Sequence, residues 1–348
     1  MAGEGFYGRH SAPQHAIASL GLDLLDTAVD HVELPADDRP LIVADFGAAQ
    51  AHNALAPMQR IIDRLRARTS SEVVIVHTDL PSNDWATLFE VVDGSVPSQA
   101  DGTIHSFAAG RSFYDRIFPA RSVAVGWTSS TLHWLRNAPG PITDHFFVQL
   151  SSDDAARQRY REQSEQDWRD FLRCRAVELR PNGSVVFVDT LMGDDQIMGG
   201  EALFDALQAS IATMHRGGAI SDAGYGALAY PTWFRTEAEL RAPFSPEFAG
   251  PSGAALRLVD LRTVVLDDPF LAAFQTSGDA GAYAAAQVGF LRGFLEPSFE
   301  AELAGAGAGD PGPALDGLWQ GLTARLAADP LGVSPRWRIV VGRVRRSR

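Results

Sequence analysis

The sequence predicts an α/β fold built on a largely parallel sheet, with a helical cap over it, and three observations carry that expectation. Apolar strand-like runs alternate with stretches of helical spacing along the first half of the chain. With 348 residues and 45% hydrophobic content, the chain can bury one large core or one core plus a cap. Residues 199–250 break the alternation: they are rich in Gly, Ala and aromatics, with few clean periods, as a cap inserted over the sheet would be.

Taken in order, "PLIVADFG" (40–47) reads as the first strand and "NALAPMQRIIDRLRAR" (53–68) as the helix that follows it. "SEVVIVHTDL" (71–80) and "NDWATLFEVV" (83–92) repeat that strand-helix pair. "GTIHSFA" (102–108), "RSVAVGW" (121–127) and "DHFFVQL" (144–150) are the next apolar strands. A long charged helix over about 153–178 leads to "GSVVFVDTL" (183–191), and "RIVVGRV" (338–344) closes the sheet. "AGAGAGDPGP" (304–313) is turn-rich and reads as a mobile loop. The domain expectation is therefore one α/β core from 1–198 and 251–348, its N-terminal segment folding over the site, with 199–250 as helical cap and substrate pocket.

The formal charge of -13, from 43 acids against 30 bases, argues against nucleic acid or an anionic membrane surface and for a small-molecule partner. The chain contains no lysine, which removes a Schiff-base lysine and the phosphate-loop lysine. A single cysteine, Cys174, leaves no internal disulfide, and no apolar N-terminal run suggests a leader or a membrane span, so a cytoplasmic protein is expected.

Ligands of open α/β sheets bind at the carboxyl ends of the strands. Asp45 and Gly47 close the first strand in "VADFGAAQAHN", and Asn53 opens the next helix; with only Gly47, the three-glycine dinucleotide fingerprint is missing. Asp79 ends the second strand in "HTDLPSND", where an acid can accept from both hydroxyls of a ribose. A carboxylate pair can also serve as general acid and base, as in glycosidases. In "AGRSFYDRIFP", Ser112 and Phe113 follow the third strand, where an aromatic can cover an adenine and a serine can bond its amine. "VGWTSSTLHWL" puts His133 and Trp134 at what reads as a helix start, and "FYGRHSAPQ" groups Tyr7, Ser11 and Gln14, with Ser11 suited to cap the first helix.

In this order and spacing, the five motifs resemble the SABATH family of S-adenosylmethionine-dependent carboxyl methyltransferases. The resemblance runs through residues 7–136, continues over "DWRDFLRCRAVELRPNGSVVFV" (167–188) and is collinear at "LRGFLEP" (291–297) and the final strand. It implies a Rossmann-like methyltransferase sheet under a helical cap, S-adenosylmethionine as cofactor, a small hydrophobic or aromatic carboxylic acid as substrate, and a homodimer. Matched position by position, it implies that Ser11, Gln14, Asp45, Gly47, Asn53, Asp79, Leu80, Ser112 and Phe113 surround the cofactor. Tyr7, Gln14, His133 and Trp134 would face the carboxylate, with His133, Trp134 and Gln14 as the catalytic set. Apart from that matching, Trp127, Trp134, Met192, Met198, Met214, Tyr225, Tyr230, Trp233 and Phe234 offer an apolar, aromatic-rich set from which the cap can build an acyl or aryl pocket, with Trp233 taken as substrate-binding. His133 would act as a donor, because a carboxylate with a pKa of about 4 is already the nucleophile and a flat profile from about pH 7 to 9 follows. The loop "GAAQAHN" lacks the family's second glycine, and "GALAYPTWF" (226–234) stands where some members carry metal ligands, so no bound metal is expected. A nicotinamide oxidoreductase and a non-catalytic ligand-binding protein on the same fold stay open as alternatives.

Overall fold

The computed structural model describes residues 5–34, 39–95 and 103–347. Three short helices, α1 (Phe6–Arg9), α2 (Ala12–Ser19) and α3 (Leu22–Asp30), precede the first strand, β1 (Leu41–Phe46). Then come α4 (Leu55–Arg66), β2 (Val73–Asp79), α5 (Trp85–Ser95), β3 (Ile104–Gly110), β4 (Val123–Ser129), α6 (Asp154–Glu178) and β5 (Leu179–Thr190). The second half runs α7 (Glu201–Arg216), α8 (Asp222–Ala227), α9 (Glu237–Arg241), β6 (Phe248–Ala249), β7 (Ala255–Asp267), α10 (Leu271–Ser277), α11 (Ala280–Gly305), α12 (Gly312–Ala328) and β8 (Arg336–Arg346).

The strands form one sheet in the order β3-β2-β1-β4-β5-β8-β7-β6. β1 to β5 are parallel, and β8, β7 and β6 add antiparallel strands at one side. The strand order reverses between β1 and β4, so a crevice opens beyond their carboxyl ends, which is where a ligand of such a sheet sits. Asp45, Asp79, Ser129 and Thr190 all lie at those ends.

Both faces of the sheet are covered, which is why the central strands are continuously apolar. On one face α3 and α4 pack Leu25, Ala28, Ile61 and Leu65 against Val43, Ile75 and Val125. On the other, α6 lays Trp168, Phe171 and Leu172 on Phe46, Val185 and Phe187. Each such fully buried apolar side chain stabilises by roughly 1.5–3 kcal/mol. Asp153 starts α6 by accepting from the Ala156 amide at 2.9 Å, so this largely polar helix has a defined beginning.

Three sequence expectations change here. Residues 144–150 are not a strand: Phe146 and Phe147 are apolar because they pack against Phe204, Phe299, Tyr230 and Phe234, not because they pair with a neighbour. No helix starts at His133; residues 130–136 form an irregular turn, and Trp134 makes an isolated bridge to Thr232. The loop expected at 304–313 shortens to the few residues between α11 and α12. Beyond those, the helical layer extends past residue 250, because α11 packs on α12 and α12 on α7. The expected strand at 102–108 is β3, and its first residue lies outside the described residues.

Candidate active site

The turn after β1 is shaped by close approach. Gly47 has φ +77°, and a Cβ there would lie 2.2 Å from Thr131 Cγ2, so only glycine lets the β1 turn pass under the β4 turn. Ala49 and Ala51 follow at φ 47° and 65°, left-handed conformations that cost alanine about 1–2 kcal/mol each. Asp79 holds this loop in place: Oδ2 accepts from the Ala49 amide at 2.8 Å and Oδ1 from the Leu80 amide at 2.7 Å. Burial pushes the Asp79 carboxyl above its ordinary range, and those two amides oppose the shift. Asp45 is also engaged, accepting from His77 Nδ1 at 2.9 Å, with both groups buried. His77 escaped sequence reading because nothing local links it to Asp45.

The wall carrying Ser112 and Phe113 is fixed from behind by α6. Arg175 donates to the Phe113 carbonyl at 2.9 Å and the Asp115 carbonyl at 3.1 Å, and its guanidinium stacks on Phe46 at 4.3 Å. Glu178, ion-paired with Arg175 at 2.6 Å, accepts from the Ile117 and Phe118 amides. This pair turns a loop into a rigid wall.

At the N-terminal side, Ser11 does not cap α2. Its hydroxyl donates to the Gly8 carbonyl at 2.9 Å and to Asn53 Oδ1 at 3.4 Å, tying the segment to the β1 turn. Gly8 donates its amide to Gln50 Oε1 at 3.1 Å, a second tie. Gln14 is 7% exposed, and its Oε1 has no hydrogen-bond partner among the described residues. As an amide it offers a ligand both an acceptor oxygen and N–H donors. Burial also drives the Tyr7 phenol far above its ordinary range, so it stays a neutral donor.

His133 sits on the turn after β4 with its ring fully engaged. Nδ1 lies 2.5 Å from Asp189 Oδ1, and Nε2 lies 3.3 Å from the Tyr230 hydroxyl. Trp134 stands edge-on to Tyr230 at 4.9 Å, and its carbonyl accepts from the Tyr114 hydroxyl at 2.6 Å.

These elements enclose two connected spaces. A cleft of 470 Å³ is bordered by Asp45, Gly47, Asn53, Asp79, Leu80, Ser112 and Phe113, with Tyr7 and Trp134 at its inner end. An inner pocket of 50 Å³ shares Tyr7, Ser130, Trp134 and Phe294 with it and adds Gln14, His133, Tyr230 and Phe234. An acid, an aromatic wall and a polar inner end fit a nucleoside carrying a cationic side chain, with a second small ligand against Gln14 and Trp134. Of the sequence-predicted set, Ser11 stands behind Asn53 and borders neither space. Trp233 lines neither space: its indole donates to Glu239 at 3.1 Å and its ring packs with Leu135, Val148 and Tyr160. Phe234, Phe290, Phe294 and Trp337 line the pocket.

A family model described as SAM dependent carboxyl methyltransferase matches residues 2–246. Methyltransferase LUC1 of Fusarium sp is 29% identical over 243 residues, 68% of this chain and 64% of that protein. Indole-3-acetate O-methyltransferase 1 of Arabidopsis thaliana is 29% identical over 212 residues, 53% of this chain and 55% of that protein. The match thus spans less than two-thirds of the length of these relatives. In fold, the chain superposes on loganic acid methyltransferase with SAH at a TM-score of 0.79 and 17% identity, over 99% of this chain and 97% of that one. With most of the sequence matched by one family model, the chain belongs to the family of S-adenosylmethionine-dependent carboxyl methyltransferases.

Proposed function

We propose that the protein transfers a methyl group from S-adenosylmethionine to the carboxylate of a small hydrophobic or aromatic acid, giving a methyl ester and S-adenosylhomocysteine. The observation that carries this reading is the inner pocket itself, where Gln14, His133 and Trp134 meet among aromatic rings beside the larger cleft. Asp79 would hold the ribose, while Ser112, Phe113 and Leu80 would border the adenine, with Asp45 and Asn53 toward the amino acid end. Gln14, His133 and Trp134 would direct N–H donors at the carboxylate, and Tyr7 would close the pocket above it. When bound, the cofactor supplies an electrophilic methyl on a cationic sulfur. The chain's own work is alignment and exclusion of water, and holding both reactants in place can supply ~7–11 kcal/mol of the barrier. Because opposite charges cancel as the methyl moves, a dry aromatic pocket favours the reaction. Phe234, Phe290, Phe294 and Trp337 provide it.

On the same reading, residues 199–250 act as cap over the core formed by 1–198 and 251–348, with α11 and α12 adding to the cap from the core's side. The assembly is a homodimer in the cytoplasm. Among the described residues, no helix is long and apolar enough to cross a membrane. Incubation with methyl-labelled S-adenosylmethionine and a library of carboxylic acids, read by mass spectrometry, tests the activity. Labelled methyl ester from one or more acids supports it, and labelled product from none refutes it.

A further inference from the structure

We infer that Asp189 is a positioning residue for the substrate carboxylate, acting through His133: it holds the Nδ1 proton, so Nε2 donates to the carboxylate only as the imidazolium, and the site takes up a proton as the acid binds. The inference rests on the carboxylate reading above and adds to it a residue and a proton.

Asp189 ends β5, 56 residues from His133 in sequence, and is 6% exposed. Its Oδ1 accepts from His133 Nδ1 at 2.5 Å and from the Thr190 amide at 2.9 Å. An ionised carboxylate only accepts, so the ring proton must be on Nδ1. In the neutral ring Nε2 is then an acceptor, and the Tyr230 hydroxyl 3.3 Å away donates to it. A carboxylate oxygen brought against that lone pair meets repulsion, not a donor. Protonating Nε2 reverses this: the ring donates at both nitrogens, to Asp189 and to the ligand, and the Tyr230 hydroxyl is released to become a second donor to the same carboxylate.

Among the described residues of the inner pocket, no other acid faces the ring. Tyr230 and Tyr7 are phenols whose burial pushes them far up, so they stay neutral. Arg235 donates its guanidinium to the Leu132 and Ser164 carbonyls at 2.6 and 2.9 Å. Gln14 from α2, Phe290 and Phe294 from α11, and Trp337 before the core of β8 are uncharged. Asp189 is the acid that touches the imidazole.

The test is calorimetric titration of benzoate into the full-length protein saturated with S-adenosylhomocysteine, in buffers of different ionisation enthalpy and at a series of pH values. We expect proton uptake on binding and a benzoate affinity that falls as pH rises, where an ionised carboxylate held by neutral donors alone would give the flat profile expected from the sequence. Asp189→Asn should weaken benzoate about 10- to 100-fold and reduce the uptake, through loss of a charged hydrogen-bond partner, while leaving S-adenosylhomocysteine affinity unchanged. His133→Gln should abolish the uptake, and the double variant should bind no more weakly than His133→Gln alone, which a purely structural Asp189 would not produce. Additive losses in the double variant, or no uptake in the wild type while His133→Gln still weakens benzoate, would overturn the role of Asp189. If Asp189→Asn loses S-adenosylhomocysteine binding, the uptake lost or kept in His133→Gln decides. Benzoate affinity untouched by His133→Gln, or absent altogether along with that of every acid in the library, would instead sink the carboxylate reading itself.

Discussion

Gly47→Ala tests the joint between the two halves of the site, and its cost can be built from two parts. Alanine at φ +77° costs about 1–2 kcal/mol in backbone strain. Its Cβ would stand 2.2 Å from Thr131 Cγ2 and 2.7 Å from Oγ1, well inside contact distance. Thr131 cannot turn away freely, because its hydroxyl donates to the Ser129 carbonyl at 2.8 Å. Overpacking of this kind costs about 1–3 kcal/mol, so the total is roughly 2–5 kcal/mol. Urea unfolding of the ligand-free protein measures it, and titration with S-adenosylhomocysteine should show weakened binding as the turn beside Asp45 shifts. Thr131→Ala removes both close atoms and leaves only Cβ, at 3.0 Å. In that background Gly47→Ala should therefore cost only the backbone strain of about 1–2 kcal/mol plus a small residue. The reasoning is refuted if Gly47→Ala costs under about 1 kcal/mol, or if the cost is the same with and without Thr131.

Asp79→Ala should weaken S-adenosylhomocysteine by about 10- to 100-fold in calorimetry, since it removes the proposed ribose partner and frees the Ala49 and Leu80 amides. Because burial raises the Asp79 carboxyl, the folded protein protonates it at a pH above the unfolded value of about 3.9, so cofactor affinity should fall as pH is lowered through that raised window, and the fall should be missing in Asp79→Asn. Glu178→Ala strands the buried Arg175 charge and two loop amides, so urea unfolding should show a loss of about 3–5 kcal/mol, with Glu178→Gln milder. Trp233→Phe should leave KM and kcat for the best acid unchanged and cost only about 0.5–1.5 kcal/mol of stability, through the lost bond to Glu239; a raised KM would return Trp233 to the substrate pocket.

The larger cleft was legible in the sequence because the residues that border it follow strand ends within a few positions of a turn. Asp79, Asn53, Ser112 and Phe113 need only that local context, and all border the cleft. The substrate half was not, beyond Tyr7, Gln14, His133 and Trp134. Asp189 meets His133 from 56 residues away, and Phe290, Phe294 and Trp337 reach the same pocket from the far end of the chain; no periodicity marks such contacts. β7 was missed for a related reason: "ALRLVDLRTVVLD" is half-exposed and mixes charges with apolar residues, so neither strand alternation nor a buried run stands out. The opposite error at 144–150 has the same root, since an apolar run records burial without saying what covers it.

The central claim is that the inner pocket selects a carboxylate, and it is tested most directly by comparing one acid with its own analogues. Methyl transfer from labelled S-adenosylmethionine is measured for the acid that gives most ester, and for the primary alcohol and primary amide on the same skeleton. The account predicts labelled product from the acid and none above background from the alcohol or the amide, because only the carboxylate is both an ionised nucleophile and a partner for the donors of Gln14, Trp134 and His133. Equal transfer to the alcohol, or transfer to the acid that survives removal of all three donors, would contradict it.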